Sequence, residues 1–589
     1  MESSDDKKPE VDVQVLEGAN FSEGEEILAL PGDKIILQHI YNAEILARPK
    51  KSRDRPPGGP PGDPPSGPPG GGASSDGGRP CVDVVRGEQG RILREVESHL
   101  AARAALFERG GILVRPELAT VQFAGGSEGR APALHGQEVR AIMRVCAEHI
   151  QFRKFNIRER QWRLDNVPKE LPSMIAGGAG HWPFEHIIGV VSCPTARRDG
   201  SILSAPGFDA KSGFYSFWAG GDIKIPDKPT RADAEAALED IGFLISEFPF
   251  VDSVSHAGAL SALITSVVRP ALRCAPFHAI SAPSAGTGKS FLVDLFAMLA
   301  TGRRCPVQSV SADDLETEKQ IVGALLAGYS IINLDNVNRE IQSNLLCQAI
   351  ERPIIQLRAL GASTIIEIEN TSTFFATGNA LSVSGDLVRR TLLIKLDPGI
   401  ERPESREFSF DPVALVAAER ARYLRAVLVI VKGYLASSDR LDLPPLASFA
   451  DWSRMVREPL VWLGVADPAG LIETAREGDS ALQALRAVLA YLEQAFGPEQ
   501  FSVGDVIGLI SHADNEPALW GKRPALSEED RGEFRELLLN VAGRSGNVNG
   551  RRLSIWLTRS EGRIIGGRKL EKGERDNHAK VFRWRIAKA

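Results

Sequence analysis

The stretch Pro283-Ser284-Ala285-Gly286-Thr287-Gly288-Lys289-Ser290 follows one short apolar run, Phe277-His278-Ala279-Ile280, and precedes another, Phe291-Leu292-Val293. Strand, glycine-rich turn and helix in this order form a seat for nucleotide phosphates. Gly286 and Gly288 let backbone N–H groups curl around an anion, and the following helix aims the positive end of its dipole at it. Lys289 would neutralise charge on the β- and γ-phosphates, and the Ser290 hydroxyl would ligate Mg²⁺. Pro283, Ser284, Ala285, Gly286, Thr287, Gly288, Lys289 and Ser290 are therefore all expected to contact ATP. One position departs from the usual pattern, because Pro283 stands where the first glycine is expected. An ordinary Gly-rich turn before a helix is the competing interpretation, and the strand and helix on either side argue against it.

Outward from the loop, residues 273–400 alternate strand-like apolar runs with helices, which predicts a parallel sheet with crossover helices. The run Ser330-Ile331-Ile332-Asn333-Leu334-Asp335 ends in an acid 46 positions after Lys289. In that context Asp335 would hold Mg²⁺ through water. Asn336 comes next, where many such ATPases place the glutamate that polarises the attacking water. Glu316 and Glu318, between the two motifs, are the substitutes, with Glu318 taken as the catalytic candidate; a solvated helix face also explains either one. The strand Thr373-Phe374-Phe375-Ala376-Thr377 ends at Gly378-Asn379, whose amide is suited to orienting water against a γ-phosphate. Arg389 and Arg390 follow Gly385-Asp386-Leu387-Val388. An arginine here would act as a finger in a neighbouring subunit's nucleotide site; the alternative is a surface arginine pair.

At 589 residues and 43% hydrophobic content the chain is long enough for several cores. We divide it into an N-terminal extension (1–48), a disordered Pro/Gly-rich linker (49–80), an α+β domain (81–229), the nucleotide-binding domain with two preceding amphipathic helices (230–410), a helical domain (411–500) and a C-terminal domain (501–589). A helix is expected over roughly 90–109. The six cysteines are scattered without a CxxC pair, which argues against a zinc site or disulfide framework. No apolar run reaches membrane-spanning length, so no membrane partner is expected and the chain reads as cytoplasmic.

Net charge is −6, yet residues 551–588 hold twelve Lys/Arg against four Asp/Glu. A compact basic end on an acidic chain suits nucleic-acid contact. Short helices followed by a Gly-Gly turn between apolar strands suggest a winged helix-turn-helix. Arg551, Arg552 and Arg559 would lie on its recognition helix and Arg563, Arg568 and Lys569 would enter the wing. Winged helices also dock proteins. Two alternating strands, 353–358 and 364–369, predict a hairpin around Gly361. The stretch Phe152-Arg153-Lys154-Phe155-Asn156-Ile157-Arg158 mixes basic and aromatic residues, which suits single-strand binding but also a half-buried strand with a basic outer face.

Taken in order, the loop, Asp335, Asn379 and the Arg389/Arg390 pair resemble an AAA+ ATPase. The resemblance is closest to the helicase-like branch of phages, plasmids and integrative elements, related to superfamily III and MCM-type helicases. It is carried by IINLDNV (331–337), ATGNA (376–380) and GDLVRR (385–390), and by RDGSILSAPGFD (198–209) upstream and FADWSRMVREPLVWLGVAD (449–467) downstream. It spans roughly 85–589 and implies a P-loop NTPase (AAA+) core of α/β class, an α+β N-terminal domain, and a helical plus winged-helix C-terminal region. It further implies ATP and Mg²⁺ as cofactors and a homo-oligomeric, hexameric ring on single-stranded or forked DNA. The 353–369 hairpin would line the pore and present Arg358 to the DNA backbone; an edge hairpin with a solvated arginine explains the same residues equally well. The function expected is an ATP-dependent DNA helicase or replication-initiation ATPase of a mobile element, with a replication protein engaging residues 1–48. The alternatives are a nucleotide-switched AAA+ loader or assembly factor without unwinding, and a structural or defence-related nucleotide-binding protein with feeble turnover.

Overall fold

The computed structural model describes residues 78–122, 128–221, 223–309, 313–358, 365–511, 526–576 and 581–588. The chain divides into two units between residues 74 and 75. The N-terminal extension, all of the linker up to residue 77 and the turn around Gly361 lie outside the described residues.

Within the second unit, the chain around the loop runs β1 (Phe277–Ala282), α1 (Lys289–Thr301), β2 (Val307–Ser309), α2 (Asp314–Leu326), β3 (Ile331–Val337), β4 (Thr373–Asn379) and β5 (Thr391–Lys395). The five strands form one sheet in the order β2-β3-β4-β1-β5, and every pairing is parallel. All six residues of β1 are buried. Strands covered on both faces read as continuous apolar runs, which is why this sheet is visible in the sequence. The fold is mixed α/β with a parallel sheet at its centre.

Two helices precede the sheet, Arg231–Ile245 and Ser253–Val268. The first is capped by a reciprocal Thr230–Asp233 box. The second differs from the amphipathic expectation. Every residue from Ala257 to Val268 is buried, because the helix packs against α1, β5 and the 453–457 turn together. Its hydroxyls escape the desolvation penalty by bonding backward, Thr265 Oγ1 to the Ser261 carbonyl at 2.6 Å and Ser266 Oγ to that of Ala262 at 2.8 Å.

The helix expected over 90–109 is also shorter than its periodicity suggested. It covers Gln89–Ala102, and the chain leaves it through Ala104 at φ 48°. Phe107–Arg109 then pairs antiparallel with Ile112–Val114 across Gly110 and Gly111, both at positive φ. Gly110 lies against the Glu367 carbonyl and Ile366, leaving no space for a Cβ. Buried Arg109 donates to the carbonyls of Leu325 and Leu326 at the end of α2. This tertiary docking outweighs the local helical preference.

Beside this hairpin, Cys81–Asp83, Gln151–Asn156 and Gln161–Asp165 form a three-stranded sheet backed by helices Gln89–Ala102, Val139–His149 and Leu171–Ala176. Val82, Val96, Ile142, Phe152 and Ile175 share its core. At the other end, helices Ser480–Phe496, Val503–Ser511, Glu528–Ala542 and Gly550–Ser560 join an antiparallel sheet of Ile564–Ile565, Arg568–Asp576 and Val581–Lys588. They close over a separate core that includes Leu489, Phe501, Phe534, Leu553 and Trp584. Among the described residues, no helix is long and apolar enough to cross a membrane.

Candidate functional site

β1 lies between β4 and β5, so the connections leaving it and β4 diverge at their carboxyl ends. A crevice at such a point is where open parallel sheets bind ligands. The loop 283–288 fills that position. Gly286 (φ 75°) and Gly288 (φ 94°) adopt the left-handed conformation that side chains resist, and Gly288 caps α1. Thr287 is buried and its hydroxyl donates to the Ser284 carbonyl at 2.6 Å. Lys289 Nζ donates to that same carbonyl at 2.8 Å and to Asn379 Oδ1 at 2.8 Å. Burial lowers the Lys289 pKa below its ordinary value, opposed by the nearby Asp335 carboxylate.

Across the crevice, Ser290 Oγ donates to Asp335 Oδ1 at 2.8 Å. Thr377 Oγ1 donates to the same oxygen and accepts the Asn336 N–H at 3.4 Å. The β3–β4 register shifts between Leu334 and Val337, and Asn336 sits in that bulge at φ 54°. Bulges re-aim side chains, and asparagine tolerates left-handed backbone better than glutamate. The residue after Asp335 is thus set by the backbone, and the hydroxyl that locks the bulge, Thr377, was not singled out in the sequence. Nothing local marks it, since its partners lie 42 and 41 positions away.

The Ser290 and Asp335 oxygens face one another as a Mg²⁺ pair requires, so the donor set fits the metal. Among the described residues no group of three or more His, Cys, Asp or Glu could hold a metal alone. The remaining ligands would come from water and phosphate, as is usual for Mg²⁺. Of the two substitute acids, Glu316 is exposed and paired with Lys319 at 3.2 Å. Glu318 is half-buried, takes a hydrogen bond from Ser343 at 3.4 Å, and lines a pocket with Leu334, Val337 and Arg339.

The arginine pair separates. Arg390 is 3% exposed and held by Glu351 and Asp386, which places it inside the protein as a structural cation. Arg389 is 46% exposed, with Asp386 at 2.7 Å and Glu351 at 3.4 Å. Glu351 loses hydration, which raises its pKa, but hydrogen bonds from Arg390 and Ser448 outweigh that and bring it below the ordinary range. The expectation that either arginine reaches a neighbour is corrected for Arg390, whose burial leaves it no reach.

Two segments remote in sequence frame the loop. A Cβ on Gly286 would stand 3.2 Å from Glu404, and one on Gly288 would stand 3.4 Å from the Phe248 ring. Their contribution depends on tertiary approach, and the sequence carried no signal for it.

Elsewhere, Ile354–Arg358 and Ile365–Glu369 pair antiparallel, with Ile355, Leu357, Ile366 and Ile368 inward and Arg358 on the exposed face. Arg198 reaches Glu369 of this hairpin at 3.2 Å. Arg551, Arg552 and Arg559 share one helix and are exposed, while Leu553 and Leu557 are buried. Arg552 donates to the Gly543 carbonyl, and Arg568 is engaged by Glu493. Arg563 is exposed, and Lys569 pairs with Glu571 at 2.8 Å.

No family model and no curated protein matches the chain. Among solved structures it is similar to the A-form apo structure of the NrS-1 C-terminal region, at 14% identity and TM-score 0.32, covering 75% of this chain and 98% of that one. A second structure of that region matches at 15% identity and TM-score 0.32, covering 77% of this chain and 100% of that one. JCV helicase, crystallised with a thiazolopyridine-bearing acetamide, matches at 12% identity and TM-score 0.18, covering 42% of this chain and 74% of that one.

Proposed function

We propose that the chain is a P-loop ATPase of the AAA+ kind that moves on DNA as a helicase. The observation that carries this is the convergence at one crevice of Lys289, Ser290, Asp335 and Asn379, drawn from α1, β3 and β4. Loop N–H groups and Lys289 would hold the phosphates, and Mg²⁺ at Ser290 and Asp335 would offset charge between the β- and γ-oxygens. Asn379 would exchange its bond to Lys289 for one to the attacking water. Glu318 is the candidate to polarise that water, and Arg389 is the candidate to stabilise transition-state charge in a neighbouring subunit. The exposed arginines of the 550–560 helix and the wing would bind DNA phosphates in the manner of a winged helix. Arg358 would do so from a pore hairpin in an oligomeric, hexameric ring.

The test is unwinding of a forked duplex by purified protein with ATP and Mg²⁺. Loss of strand separation in Lys289→Ala, with wild type active, supports the proposal. ATP hydrolysis without strand separation on any fork would instead favour a nucleotide-switched loader. Asn336, exposed and left-handed where a carboxylate is usual, is the observation that keeps that second proposal in play.

A further inference from the structure

The Gln151–Asn156 and Gln161–Asp165 strands form a hairpin at the edge of the N-terminal sheet, where Gln161–Asp165 is the outer strand. Its register places Phe155 opposite Trp162 and Arg153 opposite Leu164. Residues directly opposite share a face. Phe152, on the other face, is buried in the core with Val82. The face carrying Phe155, Trp162 and Leu164 therefore points away from that core, and Leu164 is 71% exposed. The two rings are half-buried, their centroids 5.5 Å apart and their planes at 67°. Arg153 lies 5.8 Å over the Trp162 ring and is fixed there by Asp83 at 2.8 Å.

Charge follows the aromatics. From 151 to 165 there are five Lys/Arg and two Asp/Glu. One acid, Glu159, is occupied by Arg163. In the turn that joins the strands Arg158 and Arg160 are exposed, Arg160 at φ 52°, and Ile157 is 83% exposed, whereas Lys154 lies on the opposite face of its strand with Phe152. Two rings left half-exposed on an outward face, with cations in the adjoining turn, are the combination that single-stranded nucleic acid uses.

We propose that this hairpin is a binding surface for single-stranded nucleic acid, with bases stacking on Trp162 and Phe155 and phosphates meeting Arg158 and Arg160 of the adjoining turn. Stacking is tolerant of sequence because every base has a π-face, and the cations supply the salt-dependent part of the affinity. Duplex bases are already stacked and cannot use the rings. The surface is distinct from the 550–560 helix and the Arg358 hairpin. It rests on the proposed function only in taking DNA as the polymer.

The experiment measures binding of a fluorescein-labelled oligodeoxythymidylate, its ribo-counterpart and a labelled duplex by anisotropy across a salt series. The double variant Phe155→Ala/Trp162→Ala should weaken single-strand binding about 10-fold or more, with little change for the duplex, and Trp162→Phe should retain most of it. Arg158→Glu/Arg160→Glu, both exposed in the turn beside the aromatic pair, should flatten the salt slope for single strands. A strand carrying 5-iododeoxyuridine, irradiated on the wild-type protein, should crosslink to peptides containing Phe155 or Trp162. Crosslinks confined to other segments, an unchanged single-strand affinity, or equal losses for single strand and duplex overturn the proposal. Tighter binding of the ribo-oligomer retains the surface and reassigns its polymer to RNA. Crosslinking at Trp162 in a protein without ATPase activity sinks the motor proposal and leaves this one standing.

Discussion

Lys289 donates from Nζ to Oδ1 of Asn379 across 2.8 Å, joining the first residue of α1 to the last residue of β4, 90 positions further along the chain. On the proposed function a γ-phosphate would compete for the same ammonium, and its arrival would free the Asn379 amide to turn toward water. Asn379→Ala should therefore lower kcat about 100-fold, comparable to removing one transition-state hydrogen bond. Its nucleotide Kd should stay near wild type, whereas Lys289→Ala should lose binding itself. Equilibrium titration with a fluorescent ATP analogue separates the two; loss of binding in Asn379→Ala would contradict the assigned role.

Thr377 and Ser290 share one carboxylate oxygen, Oδ1 of Asp335. Outer partners such as Thr377 set ligand orientation, and their removal costs about 10–100-fold in metal affinity. Thr377→Val should raise the Mg²⁺ concentration needed for half-maximal hydrolysis about 10-fold, and Thr377→Ser should restore it. An unchanged Mg²⁺ requirement in Thr377→Val would show that Ser290 and the backbone position Asp335 without help.

Arg389 and Arg390 should fail differently. Arg390→Ala removes one of the partners of half-buried Glu351 and leaves Arg389 and Ser448, so it should lower stability by roughly 1–3 kcal/mol, read from urea unfolding. Arg389→Ala should unfold near wild type yet lose hydrolysis. Mixed with Lys289→Ala protein, it should regain activity at sites built from one good half of each. No recovery at any mixing ratio would argue against a site shared between subunits.

The Arg197–Asp209 pair sets an acid-labile contribution to stability. Two hydrogen bonds from Arg197 hold Asp209 at about 2, below its ordinary 3.8. A depressed carboxylate stabilises the fold above the unfolded pKa, and that stabilisation is lost as pH falls from about 3.8 toward 2. Asp209→Asn should cost roughly 1–3 kcal/mol near neutrality, as for hydrogen bonds to charged groups. Its deficit relative to wild type should narrow over that acidic window in pH-dependent thermal unfolding; a constant deficit from pH 7 to 2 contradicts the assignment.

Removing residues 551–589 is a poor test of DNA contact, because Leu553, Leu557, Leu570 and Trp584 belong to the C-terminal core. Substituting the exposed Arg551 and Arg559 leaves that core intact. Arg551→Ala/Arg559→Ala should reduce the magnitude of the salt slope for duplex binding by about 2. An unaltered slope would move the duplex contact off this helix.

The order of strand, loop and helix, and the acid near the end of β3, were legible because each depends on neighbours in sequence: apolar runs, glycines at tight turns, a lysine and hydroxyl at a helix start. The same local logic located the 354–369 hairpin and the basic 550–560 helix. It overextended the first helix, since periodicity cannot register that Arg109 and Gly110 have partners more than 200 positions away. It treated Arg389 and Arg390 as equals because adjacent residues have the same neighbours in sequence, and only the fold leaves one 46% and the other 3% exposed against the same two carboxylates. Tertiary structure alone put Thr377 on Asp335, Glu404 and Phe248 beside the loop, and Phe155 across from Trp162. Hydrogen bonding and burial act over a few ångströms, and only folding decides which distant residues come within that reach.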